Sequence, residues 1–74
     1  MSDELLDARD LKCPLPVLRA RKAMQRLAPR DVLQVLATDP GAVKDFEAFC
    51  EATGHELLES QEHGNEFTFR IRKA

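Results

Sequence analysis

The apolar positions change period from block to block along the chain. Leu5 and Leu6, within residues 4–8, form a short apolar pair that predicts a strand. Residues 17–28 contain neither glycine nor proline. On a wheel of roughly 100° per residue, Val17, Ala20, Met24 and Leu27 fall on one side. Arg19, Lys22 and Arg26 fall opposite. That pattern predicts an amphipathic helix closed by Pro29. Pro14 suits its first position, where a missing N–H costs nothing, and Pro16 is tolerable in the first turn. Asp31 to Ala37 reads D-V-L-Q-V-L-A, a short run rich in β-formers, and predicts a buried strand. Asp39 as N-cap and Pro40 at the first position open a second predicted helix. Its inner face carries Val43, Phe46 and Cys50, with Glu47 and Glu51 outside and Gly54 closing it. Residues 55–62 form a third predicted strand around Leu57 and Leu58. His63-Gly64-Asn65 reads as a turn. Phe67, Phe69 and Ile71 then alternate with Thr68, Arg70 and Arg72, the pattern of a half-buried strand. The order β-α-β-α-β-β predicts an α+β fold. It is a two-layer sandwich with a four-stranded mixed sheet and two helices on one face. Residues 1–74 read as a single domain without repeats or linkers.

Composition removes several classes. With 43% apolar and 32% charged residues, the chain is neither disordered nor collagen-like. The longest uncharged stretch, residues 32–38, is far too short to span a bilayer, and no leader pattern opens the chain. Two cysteines allow one bridge at most, and no Cys/His pair has zinc-finger spacing, so no metal is expected. The expected compartment is the reducing cytoplasm. The net charge of −2 hides a segregation. Residues 1–30 carry +3, residues 31–69 carry −8, and residues 70–74 carry +3. The bases thus gather around the first helix and the C-terminus. They are either a solvated face or a docking patch for an acidic partner.

Candidate chemistry sits at Cys13-Pro14-Leu15-Pro16. Placed at the N-cap of the first helix, Cys13 is offered the Leu15 N–H and the positive end of the helix dipole. Lys12 is adjacent, and Arg19 and Lys22 lie a turn or two beyond. Each of these favours S⁻ over SH. A free thiol is only about 3% thiolate at pH 7, and about 2 kcal/mol would make it half thiolate. A helix terminus supplies ~0.3–2 kcal/mol of that. Position alone does not choose between an activated thiol and a plain helix cap. The chain's histidines, His55 and His63, lie late in acidic surroundings, and nothing aims either at Cys13 as a base. No C-x-x-C is present. What remains is chemistry in which the sulfur itself attacks and carries. Cys50, on the inner stripe of the second helix, reads as a small core hydrophobe.

Leu6-Asp7-Ala8, Leu11-Lys12-Cys13-Pro14-Leu15-Pro16-Val17 and Arg21-Lys22 resemble the TusA/SirA-like family of small sulfur-carrier proteins. Ala37-Thr38-Asp39-Pro40, Asp45, Phe49-Cys50, His55-Glu56-Leu57 and Ile71-Arg72-Lys73 fit the same pattern. The resemblance covers essentially the whole chain, and Cys-Pro-x-Pro is its most specific part. It implies that Cys13 receives sulfane sulfur as a persulfide and passes it to a partner's cysteine. The implied donor is a cysteine desulfurase or a rhodanese-like protein, and the implied acceptor is DsrE/TusD-like. The implied pathways are tRNA 2-thiouridine synthesis and dissimilatory sulfur metabolism, with relatives in molybdenum-cofactor assembly and selenium metabolism. No cofactor is implied beyond the covalent sulfur. The protein is expected to be a monomer when free, docking partners through Lys12, Arg19, Lys22 and Arg26. Two positions depart from the family. Asp10 and Arg30 stand where glycine is usual, and the charge of Asp10 is expected to raise the Cys13 pKa somewhat.

Two other readings compete with the carrier. A nucleic-acid-binding module would use the basic stripe, against an acidic net charge and no Trp or Tyr. A non-catalytic regulatory domain would leave Cys13 as a cap.

Overall fold

A computed structural model describes residues 3–74. The elements run β1 (Asp3–Ala8), α1 (Leu15–Met24), β2 (Val32–Ala37), α2 (Ala42–Thr53), β3 (Glu56–His63) and β4 (Glu66–Arg72). The sheet order is β1-β2-β4-β3. β1 and β2 are parallel, while β4 runs antiparallel to both of its neighbours. This is the predicted mixed sheet with two helices.

Alternation sets the core face. Leu33, Val35 and Ala37 of β2 sit opposite Ile71, Phe69 and Phe67 of β4, and all of these side chains are buried. A one-residue slip would turn both rows to solvent, so burial pins the register. α1 adds Ala20, Ala23 and Met24 to this face, and α2 adds Ala42, Phe46, Phe49 and Cys50. Phe46 packs on Phe69 with ring centroids 4.7 Å apart, which fastens α2 to the sheet. Val17 and Val43 are partly buried at the margin of the core. A β-bulge between Leu57 and Glu59 interrupts the β3–β4 ladder. Gly64 closes the hairpin at φ 62°, and Gly54 ends α2 at φ 83°, its N–H donating to the Cys50 carbonyl.

Both helix starts differ from expectation. α1 begins at Leu15 with Pro14, not Cys13, as its N-cap. Pro14 and Pro16 have no N–H, and the Leu15 N–H goes to the Lys12 carbonyl at 2.8 Å. The amide expected to serve the Cys13 sulfur is therefore spent on a backbone turn. α1 also stops at Met24 rather than running to Ala28. Tighter bonds from Arg26 to Ala23 and from Leu27 to Met24 carry Leu27 into the core. α2 begins two residues later than predicted, with Gly41 as N-cap. The Asp39 carboxylate instead accepts the Gly41 N–H at 2.9 Å and reaches across to another loop.

Asp10 and Arg30 both take left-handed backbone, at φ 67° and 76°. Each is held by its surroundings. The Asp10 N–H donates to Thr38 Oγ1 at 2.9 Å, and the Arg30 N–H donates to the Lys73 carbonyl at 2.9 Å. The two departures from glycine leave the fold intact.

Candidate functional site

Parallel pairing decides what meets at the site. Ala8 ends β1 beside Ala37, which ends β2. The segments that follow, 9–14 and 38–41, therefore leave the sheet at the same end. One brings Cys13 and the other Asp39. The Cys13 N–H donates to Asp39 Oδ2 at 2.6 Å, while Oδ1 takes the Gly41 N–H. The Cys13–Pro14 peptide is cis.

The sulfur is exposed and faces α2. Cys13 Sγ–H donates to Oδ2 of Asp45, in the first turn of that helix. Gly41 lies alongside, where an added Cβ would rest 3.5 Å from the Cys13 Cβ and 3.8 Å from its Sγ. A methyl group fits there in ordinary contact, but a longer side chain would press on the sulfur. Cys13 is thus set between two carboxylates, with Lys12 near Asp39.

This overturns the expectation of a thiolate-favouring helix start. The hydrogen bond to Asp45 pushes the Cys13 thiol up, with further contributions from desolvation and from the charges of Asp45 and Asp39. Asp10 is not among the causes. Asp39 is driven the other way, because the Cys13 and Gly41 amides donate to its carboxylate and hold it below the usual range.

The remaining candidates fall as follows. Leu15 is 43% exposed beside the site, whereas Pro16 is buried beneath it. Lys12, Arg19, Lys22 and Arg26 are all exposed. Arg19, Lys22 and Arg26 line one shallow depression with Leu6 and Ala23. Arg26 is partly committed, with Nη2 2.9 Å from Glu4 Oε2. His55 packs against Phe49 as a tilted ring pair with centroids 5.6 Å apart, and its Nδ1 accepts the Ala74 N–H at 3.0 Å. His63 bonds to Gln61. Cys50 is 6% exposed within the core, and burial pushes its thiol up.

The structure adds a groove between α1 and α2 that the sequence reading did not single out. It starts beside Pro14 and Asp45 and continues along Leu18, Arg21, Phe49 and Ala52. Leu18 is 51% exposed there, and the Arg21 guanidinium lies 5.8 Å over the Phe49 ring. The signal was an unexplained leucine among the bases of the first helix. Asp39, Gly41 and Asp45 were also missed as neighbours of Cys13. An acid in the first turn of α2 reads as ordinary dipole chemistry until the topology places a thiol against it.

Known proteins resemble this chain in sequence and in fold. The family model for sulfurtransferase TusA matches residues 4–73. The sulfur carrier protein TusA of Allochromatium vinosum is 54% identical over 72 residues, covering 97% of this chain and 95% of that one. The sulfur carrier protein TusA of Pseudomonas aeruginosa is 44% identical over 71 residues, covering 96% and 90%. A crystal structure of a SirA-like protein from Desulfitobacterium hafniense superimposes with a TM-score of 0.82 at 25% identity, covering 93% and 95%. With the family matched over residues 4–73 and 54% identity to a sulfur carrier over 72 residues, this chain belongs to the TusA family of sulfur carriers.

Proposed function

We propose that Cys13 is the residue that bears the sulfur in transit. One observation carries this reading: of the two free cysteines, Cys13 is exposed at a loop end and Cys50 is buried in the core. Neither histidine is placed to serve Cys13 as a base. The other reacting group therefore comes from a partner. In loading, the Cys13 sulfur attacks the outer sulfur of a donor persulfide. The donor's S–S bond breaks, and its sulfur leaves as a thiolate that takes up a proton. In unloading, an acceptor cysteine attacks the outer sulfur on Cys13, and Cys13 leaves in turn. The sulfur travels as a covalent persulfide with no resident cofactor.

The donor in this proposal is a cysteine desulfurase or a rhodanese-like protein, and the acceptor is DsrE/TusD-like. They serve tRNA thiolation or dissimilatory sulfur metabolism in the cytoplasm. Turnover requires both partners, so the protein is a sulfurtransferase only in their company. Partners approach over α1, whose exposed bases cost the fold nothing and steer an acidic surface. Intact-mass measurement after incubation with a desulfurase and cysteine tests the reading. One added sulfur is expected. No addition, with folded protein and active desulfurase, would leave the sequence's two other readings.

A further inference from the structure

The sulfur of a carrier must be accepted and then given up. We infer that Asp45 poises Cys13 toward giving it up, by stabilising the empty thiol and repelling the loaded persulfide. The inference rests on the carrier reading above.

In the empty protein the Cys13 S–H donates to the Asp45 carboxylate. A charged acceptor makes that a strong hydrogen bond, and it exists only while the sulfur keeps its proton. In the loaded protein the proton's place is taken by a second sulfur. A persulfide gives up its proton more readily than its parent thiol, so the outer sulfur is mostly an anion at neutral pH. It then stands beside a carboxylate, and like charges this close repel. Both effects lower the free energy of the empty state relative to the loaded one.

Asp39 makes no hydrogen bond to the sulfur, because its two oxygens are spent on the amides of Cys13 and Gly41, and its charge adds only a smaller like-charge contribution. The charged groups around the sulfur are Asp45 on the sulfur itself and Asp39 on the Cys13 amide, with Lys12 near Asp39. Arg21 of α1 lies further along the groove that Pro14 and Asp45 open. The raised pKa of the Cys13 thiol agrees with the geometry. The site is exposed, so the effect fades with salt.

The balance is that of an exchange. Cys13–SH and a donor persulfide become the Cys13 persulfide and the donor thiol. One S–S bond forms as one breaks, and no oxidant is needed. Asp45 changes where this equilibrium lies, without changing what is exchanged.

The test compares the wild type with Asp45→Asn and Asp45→Ser, two neutral variants whose helix content is checked by circular dichroism. The first arm is the pH dependence of Cys13 alkylation by iodoacetamide, mapped by peptide mass. Removing the carboxylate should raise the rate at neutral pH roughly threefold to tenfold, as more of the sulfur becomes thiolate. The second arm is the loaded-to-empty ratio of Cys13 equilibrated with glutathione persulfide and glutathione. That ratio should rise by a similar factor at low salt. Folded variants whose alkylation profile matches the wild type, or whose loading ratio does not rise, would overturn the inference. The alkylation arm needs no sulfur, so it judges Asp45 even where the carrier reading fails. Sulfur uptake by wild-type Cys13 is the separate check on that reading.

Discussion

Asp39 Oδ2 accepts the Cys13 N–H at 2.6 Å across the gap between two loops that are 26 residues apart in sequence. The other carboxylate oxygen holds Gly41, so one side chain fixes both the reactive loop and the start of α2. Asp39→Ala should therefore lower the melting temperature and slow sulfur transfer together. The bond also has a pH signature. The folded pKa of Asp39 is depressed by these amides, so its support is complete above the ordinary carboxylate value of about 4. The support is lost as pH falls through the lower folded value. In an NMR titration the Cys13 amide should hold its position down to about pH 4 and move only below it. In Asp39→Asn that acid-linked movement should disappear.

Arg30 adopts φ 76° without the freedom of glycine. Left-handed backbone costs a non-glycine residue about 1–2 kcal/mol. Glycine gives back roughly 0.4–1 kcal/mol through its freer unfolded chain. The first effect is the larger, so Arg30→Gly should stabilise the protein by about 0.5 kcal/mol. Thermal unfolding should show a rise of roughly 2–4 °C. Asp10→Gly should gain less, because aspartate tolerates this region better than arginine does. A drop on Arg30→Gly would mean that its contacts outweigh the backbone cost.

Arg19 and Lys22 lie on the exposed face of α1 and make no ion pair among the described residues, whereas Arg26 is paired with Glu4. Reversing the charge of Arg19 and Lys22 should slow transfer from the donor roughly threefold to tenfold at low salt. The loss should shrink as salt is raised. Melting temperature and Cys13 alkylation should hardly change. Equal transfer rates at low salt would move the docking surface elsewhere, with Leu18 and Arg21 along the α1–α2 groove the next to test.

Strand alternation and turns were legible because each is local. Phe67, Phe69 and Ile71 announce their face at a spacing of two, and Gly54 and Gly64 mark the ends that need left-handed backbone. The helix starts were not, because partners outside the expected caps claimed their groups. Leu15 gave its N–H to the Lys12 carbonyl in a local turn, and Asp39 divided its oxygens between Gly41 and the distant Cys13. The character of the site was misread for the same reason. Neighbours in sequence, Lys12 and the helix dipole, argued for a thiolate. Asp45 lies 32 residues away, and only the parallel pairing of β1 with β2 brings it to the sulfur.

The most direct measurement follows labelled sulfur from a cysteine desulfurase onto three forms of the protein. They are the wild type, Cys13→Ser and Cys50→Ala. Cys50 sits in the core, so truncating it should cost about 1 kcal/mol of stability and leave transfer in place. Cys13 is exposed, so serine should preserve the fold while abolishing acceptance. Label on the wild type and on Cys50→Ala, with none on Cys13→Ser, is the predicted result. A Cys13→Ser protein that takes up sulfur as well as the wild type would contradict the account.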